Sequence, residues 1–311
     1  MSKVVMYHYI RSFDKSLPYF NFLHLSDFKK QINYLEKKES FFSVSDDLDK
    51  NFSKNKFLLT FDDGLKEHLN VAKYLKKKNI LGFFFIPSLQ LEKSDFLPIH
   101  KIHLIFGKYN SDELLDIYNK FKIKVNFNKD IYSIFRNQKK FLDKKNLISE
   151  NNKKVYLKTL LNNFDQKNPR LVKQIFNYCF NKKNQNDIFK NFYLNSNDII
   201  ILNKLGMKIG AHGHGHKVLS KLTNNQQAKD ISKSINILSS ILNRDIKFFC
   251  YPYGGFKVFD KHTIKILKTK NITYSFNVES KDWMIKSNNF FVPRYDCNEF
   301  KYGKIFKINK M

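Results

Sequence analysis

The chain has 311 residues, and 42% of them are hydrophobic, which is enough for a sizeable core and excludes a wholly disordered protein. Its three cysteines lie far apart, which excludes a disulfide framework and a CxxC zinc site. No apolar run reaches the roughly 18 residues of a membrane span. Because the first residues also show no secretory signal, we expect no transmembrane segment and a cytoplasmic location.

The net charge of +28 raises the question of a nucleic-acid partner. Only five of the 56 basic residues are arginine, and the basic residues are spread along the chain. Nucleic-acid binders concentrate their charge and favour arginine for bidentate contacts. The abundant Lys, Asn, Ile, Phe and Tyr are the residues that an A/T-rich genome encodes, so we expect no nucleic-acid partner.

The first ninety residues alternate short apolar runs with amphipathic segments. This pattern predicts strands over 3–7, 41–44, 57–61 and 81–86. It predicts helices over 27–38, with Ser26 as the N-cap, and over 66–78.

Residues 95–196 are rich in Asn, Lys and Phe, contain no motif with evident chemistry, and are predicted to form a helical insertion, with Ser111 capping one helix. The alternation then returns, with helices over 198–205, 225–242 and 258–268 and strands over 207–211, 246–251, 272–276 and 290–293. The sequence therefore predicts an α/β fold of seven or eight parallel strands, built from 1–94 and 197–311 and interrupted by the insertion.

Most of the unusual polar clusters follow a predicted strand. They are His8; Asp62 and Asp63; His212, His214 and His216; Pro252, Tyr253 and Gly254; and Arg294 with Asp296. Because the carboxyl ends of parallel barrel strands share one face, we expect these clusters to converge in one pocket.

Two of the clusters indicate a metal site. Of the adjacent carboxylates Asp62 and Asp63, one can bind a cation while the other takes a proton, although an Asp there could also cap the following helix. The glycine-separated histidines of the second cluster can meet the angles of a tetrahedral or octahedral ion, the alternative being a surface turn. Two His and one Asp would leave positions open for water and substrate.

Three segments together resemble the polysaccharide deacetylase, or NodB-homology, family: TFDDG at 60–64, AHGHGHKVLSKL at 211–222 and YPYG at 251–254. The order and spacing of the motifs match, and the similarity covers roughly residues 1–90 and 197–296. The resemblance implies a distorted (β/α) barrel. The start of the chain, VMYHYI at 5–10, resembles the poly-N-acetylglucosamine deacetylase branch.

The resemblance also implies roles for individual residues. Asp62 would be the general base, and Asp63, His212 and His216 would bind a divalent metal, Zn²⁺ by preference, with Co²⁺, Ni²⁺ or Mn²⁺ as alternatives. His214 falls where the family varies. Pro252, Tyr253 and Gly254 would form a groove wall, with a backbone N–H near Tyr253 binding the oxyanion.

The sequence departs from the family at two places. Many members have an Arg before the proline motif, where this chain has Cys250 and Tyr251, so Arg294 is the predicted replacement, the alternative being a salt bridge to Asp296. The family's Leu-x-His motif is absent after Trp283, and His8 takes the role of general acid, as in the branch named above. Asp282 and Trp283 resemble a motif whose ring lines the acetyl pocket, although a lone Trp is more often core.

These features predict a metal-dependent hydrolase that removes an N-acetyl group from an amino sugar in a surface polysaccharide or its precursor. A deformylase acting on a lipid- or nucleotide-linked amino sugar is one alternative. A glycan-binding barrel without activity is another, and the intact set of Asp62, Asp63, His212 and His216 argues against it. The expected partner is an N-acetylated glycan or glycan precursor.

Overall fold

The structure, a computed structural model, describes residues 1–46, 55–126, 149–284 and 288–303. The described residues within Met1–Ser12, Phe22–Asp95 and Phe189–Phe306 form one compact unit, and those within Phe13–Asn21 and Phe96–Ile188 form a second. Part of the predicted insertion, 127–148, lies outside the described residues. The boundaries at 94 and 196 stay a prediction.

The first unit contains a sheet of eight strands in which all pairings are parallel. The strands are β1 Lys3–Tyr7, β4 Ser40–Phe41, β5 Lys56–Phe61, β6 Gly82–Ile86, β7 Lys208–Ala211, β8 Phe248–Cys250, β9 Tyr274–Phe276 and β10 Tyr295–Asp296. Their order is β10-β1-β5-β6-β7-β8-β9, with β4 beside the start of β5. Strands β2, Ile10–Arg11, and β3, Leu23–His24, form a separate parallel pair.

Helices follow most of these strands. They are α1 Leu25–Glu36, α2 His68–Lys77, α3 Leu89–Glu92, α4 Pro98–Lys108, α5 Ser111–Lys120, α6 Glu150–Lys167, α7 Pro169–Cys179, α8 Lys182–Phe192, α9 Ser196–Lys204, α10 Asn224–Leu242 and α11 Lys261–Thr269. Short 3₁₀ turns lie at Leu219–Lys221, Asn289–Phe291 and Cys297–Glu299. Of the helices in the described ranges, none combines the length and the hydropathy that a bilayer crossing requires.

Alternation along the strands separates two cores. Val5, Leu59 and Phe84 pack with the apolar faces of the helices, whereas Val4 and Phe83 belong to a second cluster on the opposite face of the sheet. The sheet closes through the segment around Val292, whose backbone pairs with that of Ser275 and Asn277 before β10 pairs with β1. This architecture confirms the predicted parallel α/β fold, a distorted (β/α) barrel.

The second unit is helical in its described part. It contains α4 to α7 and most of α8, and α4 packs on α6 and α7. Among its aromatic rings, Phe96 and Phe176 meet edge to face at 5.4 Å between centroids. The cap of α5 differs from the prediction, because Asn110 rather than Ser111 accepts the N–H of Glu113 and forms a capping box with it.

Two predictions in the first unit are corrected. The N-cap of α1 is His24, whose Nδ1 accepts from the N–H of Ser26, so the helix begins one residue before Ser26. The strand predicted over 290–293 is replaced by a 3₁₀ turn and an isolated pairing at Val292, and β10 begins only after Arg294. Pro293 lacks the N–H that a strand ladder needs there. Other boundaries shift by up to three residues.

Candidate active site

Hydrogen bonds that continue the sheet beyond the strand ends hold the predicted clusters side by side. The N–H of Asp62 donates to the carbonyl of Tyr7 at 3.0 Å, and the N–H of His212 donates to that of Ile86 at 3.2 Å. The residues that follow β1, β5, β6 and β7 therefore lie at one end of the sheet, as expected for the carboxyl face of a parallel barrel.

Asp63, His212 and His216 converge at this face. The Oδ1 of Asp63 lies 3.6 Å from the Nε2 of His212 and 3.4 Å from the Nε2 of His216, and all three side chains are buried. The backbone turns sharply to bring them together, because Asp63 has φ 77° and His216 has φ 50°, both in the left-handed region. Such strained positions are typical of functional sites.

The hydrogen bond of His212 fixes which ring nitrogen faces Asp63. Its Nδ1 lies 2.8 Å from the carbonyl oxygen of Cys250. A carbonyl can only accept, so Nδ1 carries the proton and Nε2 presents its lone pair toward Asp63. Burial lowers the pKa of His212, which also favours the neutral ring that a metal requires.

The donor set fits a small divalent cation. Two ligands at about 2.1 Å from a tetrahedral ion are about 3.4 Å apart, which is close to the two separations measured from Asp63. The three ligand atoms all lie within 4.8 Å of one another. Two imidazoles and one carboxylate are ligands that Zn²⁺ accepts, and the chain could hold the ion through Asp63, His212 and His216.

Asp62 faces Arg294 rather than these ligands. The guanidinium donates from Nη1 to Oδ1 and from Nη2 to Oδ2, both at 2.8 Å, and both side chains are buried. Burial is the largest single influence and would raise the pKa of Asp62, but the charges of Arg294 and His212 and the hydrogen bonds from Arg294 together outweigh it and lower the pKa to about 2. Asp62 is therefore an anion with a fixed orientation. Arg294 pairs with Asp62 and not with Asp296.

Cys250 contacts the same pair. Its Sγ lies 3.0 Å from Nη2 of Arg294 and 3.6 Å from Oδ2 of Asp62, and burial raises the pKa of the thiol well above its usual value. Asp62, His212 and Cys250 also form a compact group of metal-ligand types. The Arg294 charge beside two of its members, together with a protonated thiol, argues against a cation there.

His8 lies beside this carboxylate. Its Nε2 is 4.0 Å from the Oδ2 of Asp62, and its side chain is 40% exposed. A group with access to solvent and to the base is suitably placed for proton transfer to a leaving amine. Its role as general acid stays a prediction.

His214 points away from the triad. Its Nδ1 lies 2.8 Å from the hydroxyl of Ser88, and its Nε2 lies 3.5 Å from Glu92. Its backbone N–H and that of Gly215 both donate to the carboxylate of Asp230, at 2.8 and 3.0 Å. A Cβ on Gly213 would come within 2.9 Å of that carboxylate, so the glycine permits the close approach.

Asp230 on α10 holds the histidine loop and was not predicted from the sequence. A signal was present: Gln227, Asp230 and Ser234 lie on the buried stripe of α10 with Ile231, at positions where an amphipathic helix places apolar residues. Ser234 also holds the histidine loop, because its hydroxyl donates to the carbonyl of Gly213 at 2.9 Å.

Three of the four predicted substrate-binding residues, Pro252, Tyr253 and Gly254, lie beside the site. Tyr253 lies beside the triad, with its ring 4.9 Å from that of His216, and is 50% exposed. Pro252 and Gly254 flank it, and Gly254 has φ 72° with Val278 so close that no Cβ fits. These three residues border the site, and the binding role of the N–H near Tyr253 stays a prediction.

Trp283 is not brought to the site. Its backbone exchanges hydrogen bonds with Ser2 at the amino end of β1, opposite His8, and its buried ring packs on Tyr274. Asp282 accepts from the hydroxyl of Tyr295 at 2.8 Å and lies 3.7 Å from the ammonium of Lys3. The structure therefore places Trp283 at the far end of the sheet, where its ring packs, and its acetyl-pocket role stays a prediction that this placement does not favour.

Comparisons with known proteins agree with this description. The polysaccharide deacetylase family model matches residues 159–275, a range that includes His212, His216 and the proline motif. No curated protein sequence matches the chain.

Solved structures show the same fold at low sequence identity. The deacetylase PplD from Streptococcus pyogenes, solved with acetate, is 12% identical with a TM-score of 0.56, covering 94% of this chain and 91% of that one. IcaB from Ammonifex degensii is 15% identical with a TM-score of 0.54, covering 94% and 90%. A de-N-acetylase from Aggregatibacter actinomycetemcomitans is 13% identical with a TM-score of 0.53, covering 94% and 93%. Together with the sequence motifs, the family match confirms the resemblance to polysaccharide deacetylases over residues 159–275, and the solved deacetylase structures share the fold of this chain.

Proposed function

We propose that the chain is a metal-dependent hydrolase that removes N-acetyl groups from amino sugars in a surface polysaccharide or its precursor. The observation that carries the proposal is the adjacency of two buried groups, the Asp63, His212 and His216 triad and the Asp62–Arg294 pair. The first has the ligands of a hydrolytic cation, and the second presents an anion beside it.

The chain's own residues supply proton transfer and orientation. A divalent ion, when bound, would act as a Lewis acid toward the acyl oxygen and lower the pKa of a water. Asp62 is held by Arg294 in the ionised state and accepts the proton of the attacking water. His8, 4.0 Å from Asp62, gives a proton to the departing amine, so that acetate and a free amino sugar leave.

Arg294 both helps and limits this chemistry. It fixes the direction of the Asp62 carboxylate through two hydrogen bonds, which favours a productive geometry. It also lowers the pKa of Asp62, which weakens the carboxylate as a base. The pairing therefore favours orientation over basicity, which would suit a base if a bound cation lowers the pKa of the water it deprotonates.

The test combines metal content with product analysis. The purified protein is loaded with Zn²⁺ and incubated with N-acetylglucosamine oligomers and with their N-formyl counterparts, and acetate, formate and free amine are measured. Acetate release that is lost on chelation and restored by Zn²⁺, Co²⁺, Ni²⁺ or Mn²⁺ supports the proposal. Release of formate alone would make the chain a deformylase, and oligomer binding without any release would make it a glycan-binding barrel.

A further inference from the structure

The main chain leaves the sheet at His8. The ladder between β1 and β5 ends where Asp62 donates its N–H to the carbonyl of Tyr7, and the next residue, Asp63, turns away with φ 77°. Strand β5 thus offers the His8 carbonyl no further ladder partner. A side chain takes that place, because the Nε2 of His68 lies 2.9 Å from the His8 carbonyl oxygen.

His68 is the first residue of α2 and is fully buried. Its ring lies 5.6 Å from that of Phe61 and 5.8 Å from that of Phe84, and burial lowers its pKa, so the ring is neutral. Since a carbonyl only accepts, Nε2 carries the proton and donates it. Its Nδ1 has no hydrogen-bond partner in the described part of the chain. A polar ring is costly in this apolar setting, and its one hydrogen bond goes to His8.

Glu67, the residue before His68, holds the main-chain segment from His8 to Arg11 at its Arg11 end. Glu67 accepts from Nε of Arg11 at 2.8 Å and lies 2.7 Å from its Nη2. The guanidinium of Arg11 also lies over the ring of Tyr9, 5.3 Å from its centroid. Two consecutive residues at the start of α2 therefore fix the main chain from His8 to Arg11.

We propose that His68 is a positioning residue that holds His8 in place for proton transfer, an inference that rests on the proposed function. The side chain of His8 is 40% exposed, so packing around its ring does little to orient it. Its direction is set by the main chain, and the hydrogen bond from His68 fixes that main chain at the residue itself. The result is a His8 ring 4.0 Å from Asp62.

A double-mutant cycle tests the proposal. Turnover of the Zn²⁺-loaded protein is measured on N-acetylglucosamine oligomers and on 4-nitrophenyl acetate, whose leaving group needs no proton. The variants are His68→Leu, His68→Gln, His8→Ala and the double variant His8→Ala/His68→Leu. We expect His8→Ala to slow amide turnover roughly 10²–10⁴-fold and to bind metal normally. We expect His68→Leu to slow amide turnover about tenfold, the value of one hydrogen bond, and to leave the ester nearly unchanged.

Three results separate positioning from packing. In the His8→Ala background, His68→Leu should have no further effect, and His68→Gln, which retains a donor, should recover most of the amide turnover. Phe84→Leu is the matched control, since it alters the packing beside His68 without removing the hydrogen bond. It should change turnover of the amide and of the ester by the same factor. Equal losses on both substrates, or a full effect of His68→Leu without His8, would overturn the inference.

A crystal structure of His68→Leu gives a readout that does not depend on turnover. The main chain at His8 should shift and its ring should leave Asp62, whereas Asp63, His212 and His216 should stay. An unmoved His8 overturns the positioning role. A wild-type protein that hydrolyses neither substrate would instead overturn the proposed function, so the two failures are distinguishable.

Discussion

At the carboxyl end of the main sheet, Asp62, Asp63, His212, His216 and Arg294 are buried together, whereas at the amino end Trp283 packs on Tyr274 against the start of β1. The polar end is held by directed contacts between charged groups, each of which depends on its partner. The apolar end is held by packing, which tolerates exchange of similar shapes. One sheet therefore places the polar site at one end of its strands and an apolar, stabilising contact at the other.

Removal of a triad ligand should have the largest effect. In His216→Ala, we expect bound metal to fall from about one ion per chain toward zero and deacetylation to fall to background, because two ligands hold the ion poorly. His212→Ala should behave alike. The measurement is metal analysis of the purified protein together with acetate release.

The neighbouring His214 supplies the matched control for that experiment. Its ring bonds Ser88 rather than facing Asp63, so His214→Ala should keep its metal. Full metal occupancy in both the His212 and the His216 variant would show that the ligand assignment is wrong.

Asp62→Asn should have the next largest effect. We expect it to keep its metal and to lose activity roughly 10²–10⁴-fold, because it removes the base and leaves the ligands in place. Asp63→Asn is the comparison, and it should lose metal as well as activity. Near-normal turnover by the Asp62 variant would exclude it as the base.

Asp230→Ala should have an intermediate effect at the polar end. Without the carboxylate that accepts from His214 and Gly215, the histidine loop loses its anchor, and we expect metal affinity to fall about 10–100-fold. Titration with Zn²⁺ against a competing chelator measures it.

Asp260→Ala is the control for the anchor. Asp260 caps α11 and accepts the N–H of Thr263, so its loss should cost about 1 kcal/mol of stability and leave metal affinity unchanged. Equal metal affinities in the Asp230 and Asp260 variants would refute the anchoring role.

Trp283→Ala should have the smallest effect on catalysis. At the apolar end it should lower the free energy of unfolding by about 3–5 kcal/mol, while the folded fraction keeps its kcat, KM and metal content. Denaturant unfolding and steady-state kinetics measure the two quantities. Trp283→Phe, a milder change, guards against failure to fold. A raised KM at unchanged stability would place the ring in the substrate pocket and contradict its packing role.

The sequence predicted the fold where periodicity and local residue type decide it. Strand β1 and helix α10 are predicted to within one residue, because apolar alternation and helical spacing are strong there. Capping was predicted less well. His24 and Asn110 took the places of Ser26 and Ser111 because several neighbouring polar residues can bond the same N–H groups. The strand predicted over 290–293 does not form, because Pro293 has no N–H for the ladder even though the apolar pattern favours a strand.

The candidate site shows a similar division. Clusters that follow strands, such as Asp62–Asp63 and His212–His216, were predicted to meet, and the structure brings them together. Arg294 and Asp230 contact residues that are far from them in the sequence, and the spacing of residues along the chain does not predict such contacts. For Arg294 the sequence left Asp296 as an alternative partner, and only the tertiary structure joins it to Asp62. The roles of these residues stay predictions until the variants above are measured.

The segment that closes the sheet has a consequence for the order in which the protein is made. Val292 pairs with the backbone of β9, Tyr295 pairs with β1, and Arg294 lies between them. During synthesis, a chain still lacking the residues beyond Phe290 has an open sheet and lacks the Arg294 guanidinium that pairs with Asp62. The Asp62 carboxylate can be buried with this counter-charge only after the ribosome has delivered the segment, so closure of the sheet and formation of the Asp62–Arg294 pair are one event.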